Sequence, residues 1–226
     1  GKALVAASMS AGSYLLPPVV CDFHERHPEG MVQIVISTPQ VALDSVRTGA
    51  SDFAVLMLLP EQDLDGLDAQ PLWDELLLLC AAADSRGVGE SADRETLLGL
   101  PFVSTYSMVM QQLEEGQVRA NGLAPRRIVM QLGHPEAQKE AVRRDVGVCF
   151  FLQSSVHRDI ARGELRWVQT PGMQMSIPLY LVMRKDKELS PFQQALRLYI
   201  EAARPLQVRP FAATSAGAGA SRATTA

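Results

Sequence analysis

Val5-Ala-Ala-Ser-Met-Ser-Ala-Gly-Ser-Tyr-Leu-Leu-Pro17 carries an alternating apolar segment into a small, hydroxyl-rich turn and then into a leucine-bearing helical pattern. It reads as strand, loop, helix. The turn offers the hydroxyls of Ser8 and Ser10, a permissive Gly12, and the backbone N–H groups that a starting helix leaves without partners. That set of donors suits an anion. Its ordinary alternative use is to cap the helix.

Outward from this stretch the same unit repeats. The helix after the turn carries Leu15, Leu16, Val19, Val20 and Phe23 on one stripe, which must face a core. Pro17 and Pro18 interrupt it, so either the helix starts close to Leu16 or Tyr14 to Leu16 form a first turn that the prolines distort; the second is preferred. A strand at 32–36, the turn Ser37-Thr38-Pro39-Gln40, a short helix at 41–48 stopped by Gly49, and a nearly all-apolar strand at 52–57 follow. Strands alternating with helices predict an open α/β sheet.

A Pro- and Asp-rich loop at 59–71 leads to a buried strand at 76–82, long enough to pass from one sheet to another, and then to a polar surface loop. Gly87 and Gly89 are too few for a phosphate-cradling fingerprint. The α/β pattern then resumes. It predicts a strand at 101–103, a second hydroxyl-rich turn Ser104-Thr-Tyr-Ser107, a helix at 108–121, a strand at 128–132, the turn Gly133-His134 and a helix at 135–144. Strands at 146–152, 165–168 and 176–183, a helix at 153–162 and a final helix opened by the capping box Ser190-Pro-Phe-Gln193 complete the pattern, with a disordered tail at 209–226. Two α/β units of this kind, facing one another, place their hydroxyl-bearing turns around a cleft.

Composition narrows the function classes. With 226 residues and 47% hydrophobic content the chain buries a sizeable core, and 21 basic against 25 acidic residues leave a net charge of -4. That balance gives no footprint for gripping DNA over an extended surface. The apolar runs fall well short of the roughly 20 residues of a membrane span, and no signal peptide precedes the first strand. The abrupt start at Gly1-Lys2 predicts a further N-terminal part upstream. Three widely spaced cysteines, Cys21, Cys80 and Cys149, fit a reducing cytoplasm.

Chemistry-bearing groups are few. Cys21, His24, Glu25 and His27 have a spacing that a metal could use, but a single short segment does not supply four tetrahedral ligands, and the histidines suit a helix C-terminus; no metal or other cofactor is expected. His134 is the one candidate base at a predicted cleft turn, and beside Pro135 it reads more simply as a ligand contact or a cap. Cys80 and Cys149 fall in predicted buried strands, where thiols are inert packing groups rather than redox sensors.

The run Ser8-x4-Ser13-Tyr-Leu-Leu-Pro17, then Phe23-x3-His27-Pro28, then Val41-x4-Val46-Arg-x-Gly49-x2-Asp52-Phe-Ala resembles the effector-binding domain of LysR-type transcriptional regulators. Leu100-Pro-Phe-Val103, Glu136-Ala-x2-Glu140-Ala-Val142, Gly163-Glu-Leu165 and Leu179-x-Leu-Val-x-Arg184 continue the similarity in order, over about residues 1–205. The segment Val142-Arg-Arg-Asp-Val-Gly147-Val-Cys-Phe-Phe151 departs from the family's glycine-rich, proline-closed form. The resemblance implies an α/β fold like that of type 2 periplasmic binding proteins, with two Rossmann-like subdomains joined by two crossover strands: residues 1–74 with 176–208, and 75–175. It further implies a cytoplasmic bacterial regulator, a homodimer or homotetramer, that is not an enzyme and meets DNA only through an N-terminal helix-turn-helix domain outside this chain. The dimer contact is expected to use the helix at 14–26 and the strand at 32–36. A periplasmic-type solute-binding protein shares the fold and is the alternative.

The resulting expectation is a site for a small-molecule effector, a carboxylate or other small anion. Ser8, Ser10 and Thr38 from one subdomain and Ser104, Thr105 and Tyr106 from the other supply polar contacts, Gly133 and His134 a further turn, and Met9, Pro39 and Phe150 apolar walls.

Overall fold

In the computed structural model, which describes residues 1–204, the chain opens with β1 (Lys2–Ala7). A π-helical turn over Ala11–Leu15 then leads into α1 (Leu16–Arg26). The prolines account for the widened turn. Pro17 and Pro18 have no N–H to donate and their rings crowd a carbonyl four residues back, so they fit at the start of α1, where no such bond is due. The segment before them is helical but distorted, as preferred from the sequence.

β2 (Met31–Ile36), α2 (Pro39–Arg47) and β3 (Phe53–Met57) follow. α2 starts ahead of the expected residue 41 because Pro39 is its first residue and Thr38 its cap, with Thr38 Oγ1 accepting from the N–H of Val41 at 3.4 Å. β4 (Leu67–Ala82) is a 16-residue strand, about 50 Å of extended chain. After it come α3 (Arg94–Gly99), β5 (Pro101–Thr105), α4 (Met108–Ala120), β6 (Arg127–Leu132) and α5 (Pro135–Arg143). The described chain closes with β7 (Cys149–Leu152), α6 (Gln153–Ala161), β8 (Leu165–Trp167), β9 (Ser176–Arg184) and α7 (Pro191–Ala202). In α7 both halves of the predicted capping box are present, Ser190 Oγ accepting from Gln193 N and Gln193 Oε1 from Ser190 N. The tail at 209–226, and residues 205–208 assigned to the first subdomain, lie outside the described residues.

Two halves share the long strands. In the first, β1 runs parallel to β2 and β3, and β3 pairs antiparallel with β9, giving the order β2-β1-β3-β9-β4. All five residues of β3 are buried, which is why it reads as a continuous apolar run. β4 pairs with β9 from Leu67 to Leu76 and then enters the second half, pairing with β7 over Leu77–Cys80 and with β8 over Cys80–Ala82. β5 and β6 are parallel, and β5 is stitched to the chain before β7: Val103 N donates to Val148 O at 2.8 Å, and Val148 N to Pro101 O at 2.9 Å. Gly147 permits this closeness, since a Cβ there would lie 2.5 Å from Pro101 O.

Three expectations are corrected. Residues 67–71, read as loop, and 72–75, left unassigned, are strand; mixed polarity and Pro71 hide it, and Pro71 is tolerated because it sits beside a register shift with β9 as its ladder partner. Ser104 and Thr105, read as turn, are the last residues of β5, and Ser104 is fully buried. α3, capped by Asp93 accepting from Thr96 N at 2.8 Å, occupies part of what reads as open loop. A single apolar cluster runs through both halves, from Val5, Phe53 and Leu196 through Leu179 and Ile177 to Leu79, Phe102 and Phe150.

His27 stacks on Phe23 with ring centroids 4.3 Å apart and meets Phe192 edge-on, so its ring is packing material. Among the described residues, no group of three His, Cys, Asp or Glu side chains is gathered for a metal ion, and no helix is long and apolar enough to cross a membrane.

Candidate functional site

The carboxyl ends of β1 and β2 meet the start of α4 across a cleft of about 590 Å³. One wall is the turn at Ser8, Met9 and Ser10 with the segment 36–40; the other is 107–110. The first wall follows from local sequence: β1 ends at Ala7, Ser8 N donates to Val55 O at 3.2 Å, and Gly12 N donates to Ser8 O at 2.9 Å, starting the helical turn directly at the cleft. Gly12 is needed here, because a Cβ would lie 2.5 Å from the Ile36 side chain.

Three hydroxyls at this cleft are not used by the protein. Ser8 Oγ is buried and has no partner. Ser10 lies in the first turn of the helix that Ser8 O opens, and Ser107 stands at the N-cap of α4, yet neither side chain makes a capping bond. Ser107 N instead donates to Thr105 Oγ1 at 3.1 Å. A cap residue whose oxygen does not cap forgoes about 1 kcal/mol of helix stability, which points to another use for it. Thr38 differs, since its Oγ1 is engaged at the start of α2.

Behind the cleft lies an inner chamber of about 100 Å³, sharing Met9, Ser10, Ser107 and Met110 with it. Thr105, Gly133, Gln138 and Phe150 line this chamber, as does Glu114. The Glu114 side chain is 3% exposed, and its Oε1 accepts from Arg126 Nη1 at 2.6 Å, while Arg126 Nη2 bonds Glu115 Oε1. The guanidinium lies 5.2 Å from the centroid of Phe102 and 5.8 Å from that of Phe150. Burial pushes the Glu114 carboxyl above its ordinary value, against the pull of Arg126 and with a smaller push from Glu115.

The expected site residues therefore divide. Ser8, Met9, Ser10, Thr38 and Pro39 line the large cleft, and Met9, Ser10, Thr105, Gly133 and Phe150 line the chamber. Ser104, Tyr106 and His134 line neither. Ser104 Oγ is buried without a partner, Tyr106 is 69% exposed, and His134 Nδ1 accepts from Glu136 N at 3.1 Å, capping α5. The sequence placed the turn ending at Ser107 beside the cleft but missed Met110 and Glu114, although their i+3 and i+7 spacing from Ser107 puts them on one face of α4 and could have exposed the set.

A second contact ties the halves together. Tyr14 Oη donates to Glu136 Oε1 at 2.7 Å, and Lys139 Nζ bridges Glu136 at 2.9 Å and Asp159 at 2.8 Å. Lys139 Nζ also lies 5.0 Å from the centroid of the Tyr14 ring. Burial, and then the Glu136 carboxylate, hold the Tyr14 phenol well above its ordinary value, so it remains a donor.

A family model described as "LysR substrate binding domain" matches residues 1–205. A "Probable RuBisCO transcriptional regulator" of Chlorokybus atmophyticus is 24% identical over 192 residues, covering 83% of this chain and 61% of that protein. One of the same name from Trichormus variabilis is 26% identical over 200 residues, covering 86% and 59%. The chain thus spans about 60% of the length of these relatives. Among solved structures, the CcmR regulatory domain of Synechocystis in complex with 2-PG matches with a TM-score of 0.76 at 21% identity, over 89% of this chain and 96% of that one. The effector-binding domain of QuiR in complex with shikimate matches with a TM-score of 0.72 at 14% identity, over 88% and 95%. These likenesses show the α/β, type 2 periplasmic-binding-protein-like fold, and with the family match the conclusion is that this chain belongs to the LysR substrate-binding domain family.

Proposed function

We propose that the chain senses a small anionic effector, held in the 590 Å³ cleft, for a LysR-type transcriptional regulator. One observation carries this reading: Ser8, Ser10 and Ser107 present hydroxyls that the fold leaves unused, two of them at helix starts where N–H groups and the helix dipole favour negative charge. Among the described residues, none that lines the large cleft is titratable, so this wall can bind an anion but has no group to move a proton. That supports a binding role over catalysis. CcmR with 2-PG and QuiR with shikimate are likenesses in the same direction.

In this reading residues 1–74 with the segment from 176 form one body and 75–175 the other, hinged where β4 and β9 cross. An effector shifts the hinge only by its differential affinity for open and closed forms. A cytoplasmic homodimer or homotetramer then relays the shift to DNA-binding heads encoded outside this chain. The edge strands fit such assembly, with Val35 and Ile36 of β2 and Ile128 and Val129 of β6 exposed.

The test uses two serine and threonine variants after mass spectrometry of co-purifying small molecules has named the effector. Ser8→Ala removes a hydroxyl that bonds nothing in the protein, so Tm stays unchanged while affinity falls by roughly ten- to a hundredfold, the value of one hydrogen bond to a charged group. Thr38→Ala lowers Tm as well, because it also removes the α2 cap. Native affinity in Ser8→Ala would move the site away from this turn.

A further inference from the structure

The chamber differs from the adjoining cleft in holding a carboxylate. At about 100 Å³ it is far smaller than the 590 Å³ cleft beside it. Beside the hydroxyls of Ser10, Thr105 and Ser107, its polar lining adds acceptors. Gln138 commits its Nε2 to Leu132 O at 2.8 Å, which leaves the amide oxygen open. Ser155 donates its proton to Leu152 O at 2.8 Å, leaving lone pairs. Glu114 brings a carboxylate whose counter-ion, Arg126, is shared with the partly exposed Glu115, so with both carboxylates ionised the triad carries a net charge of -1. The hydroxyls of Ser10 and Ser107 line both spaces, and what the chamber adds to them is the carboxylate of Glu114 and the amide of Gln138.

We propose that the effector is bifunctional: its anionic group rests in the large cleft, and a hydroxyl or ammonium group at its other end enters the chamber to donate to Glu114 and Gln138. This rests on the cleft being the effector site. Glu114 is then the residue that sets specificity. It selects hydroxy acids and amino acids over molecules anionic at both ends, because a second carboxylate or phosphate in the chamber meets a like charge and an amide oxygen with no free cation beside it.

A matched three-carbon series tests this with the 226-residue chain, isotopically labelled and titrated by amide chemical shifts at millimolar ligand. The probes are propanoate, 3-hydroxypropanoate, β-alanine and malonate, which share one carboxylate and differ at the far carbon. The expected order is 3-hydroxypropanoate and β-alanine at least about fivefold tighter than propanoate, and malonate at least about tenfold weaker, on the order of one lost or opposed polar contact. In Glu114→Gln malonate rises to within about threefold of propanoate and the β-alanine advantage disappears, since the like charge is gone. The wild-type order decides even where that variant fails to fold. Malonate binding as well as propanoate, with shifts at Ser8 and Thr105, overturns the bifunctional reading and leaves the anion cleft standing. No shift at Ser8, Ser10 or Thr38 with any of the four acids overturns the cleft assignment itself.

Discussion

Replacing Arg126 by methionine tests how the floor of the inner chamber is held. The Arg126 side chain is 1% exposed, its partner Glu114 is 3% exposed, and Glu115 is 28% exposed. Methionine keeps the packing between Phe102 and Phe150 but strands a buried carboxylate, a change that costs about 3 to 5 kcal/mol. For a domain of this size about 1 kcal/mol moves Tm by roughly 2 to 4 °C, so the expected fall is roughly 6 to 20 °C at pH 8. The pH dependence has a definite sign. Burial already raises the Glu114 carboxyl in the folded protein, and loss of Arg126 raises it further, while the unfolded chain titrates near the ordinary glutamate value of about 4.3. Between those two values the folded state binds the extra proton, so its stability is retained at low pH and lost as pH rises through the folded value. Differential scanning calorimetry of Arg126→Met from pH 5 to pH 8 should therefore show a deficit that widens with pH. Arg126→Met combined with Glu114→Met should recover most of the loss, since a buried pair replaced as a whole is often neutral. A Tm within about 2 °C of the parent at pH 8, or a deficit that narrows as pH rises, refutes the reasoning.

Gly147→Ala places a methyl group 2.5 Å from Pro101 O and must prise the chain before β7 from β5; a loss of about 1 to 3 kcal/mol is expected in denaturant titration, and an unchanged midpoint would contradict the close approach. Cys80 and Cys149 sit opposite one another on β4 and β7, and burial pushes both thiols up, whereas Cys21 is exposed. A thiol-reactive dye should label Cys21 alone in the native protein and all three cysteines in guanidinium; rapid native labelling of Cys21→Ser would show that the strands open. Tyr14→Phe removes the hydrogen bond to Glu136, and because Glu136 is half exposed the stability cost should stay below about 1 kcal/mol while amide exchange quickens in the π-helical turn. Unchanged exchange over 11–15 would mean that the bond does not restrain that turn.

The element order was legible because the two periods alternate cleanly: runs such as 53–57 and 31–36 fit buried and edge strands, and proline or glycine marks most helix ends. Helix starts were misplaced where proline was treated as a breaker rather than as a first residue, as at Pro39. The first half of β4 was not legible, because a strand with a register shift, Pro71 and mixed polarity carries no period-2 signal. At the site, the sequence pointed to the hydroxyl-bearing turns but not to the difference between them. Thr38 caps its helix by accepting from Val41 N, whereas the Ser10 and Ser107 side chains make no capping bond, a difference that only the three-dimensional placement shows. Glu114 shares a helix face with Ser107 and Met110, but its burial was not legible. Within the helical pattern at 108–121 it looks like one more solvated glutamate, and nothing in the intervening residues announces that Arg126 returns to neutralise it.

The stretch that opened the reading has two ends with different duties. Ser8 and Ser10 face the cleft, and Tyr14, one π-helical turn further on, holds the Glu136–Lys139–Asp159 cluster of the other half. A rigid α-helix between them would transmit any displacement as a whole. The wider turn over Ala11–Leu15 is instead followed by two residues that donate no backbone hydrogen bond, Pro17 and Pro18, so its ladder is interrupted where α1 begins. An anion drawn onto the N–H groups near Ser10 in the proposed mode pulls on this turn alone, and the first contact between the halves to feel it is Tyr14 Oη on Glu136. That contact yields only to an effector whose differential affinity for the two positions exceeds the value of one hydrogen bond to a partly exposed carboxylate together with the Lys139–Tyr14 ring contact. In the proposed mode, effector seating and hinge position are coupled through some seven residues of one local element.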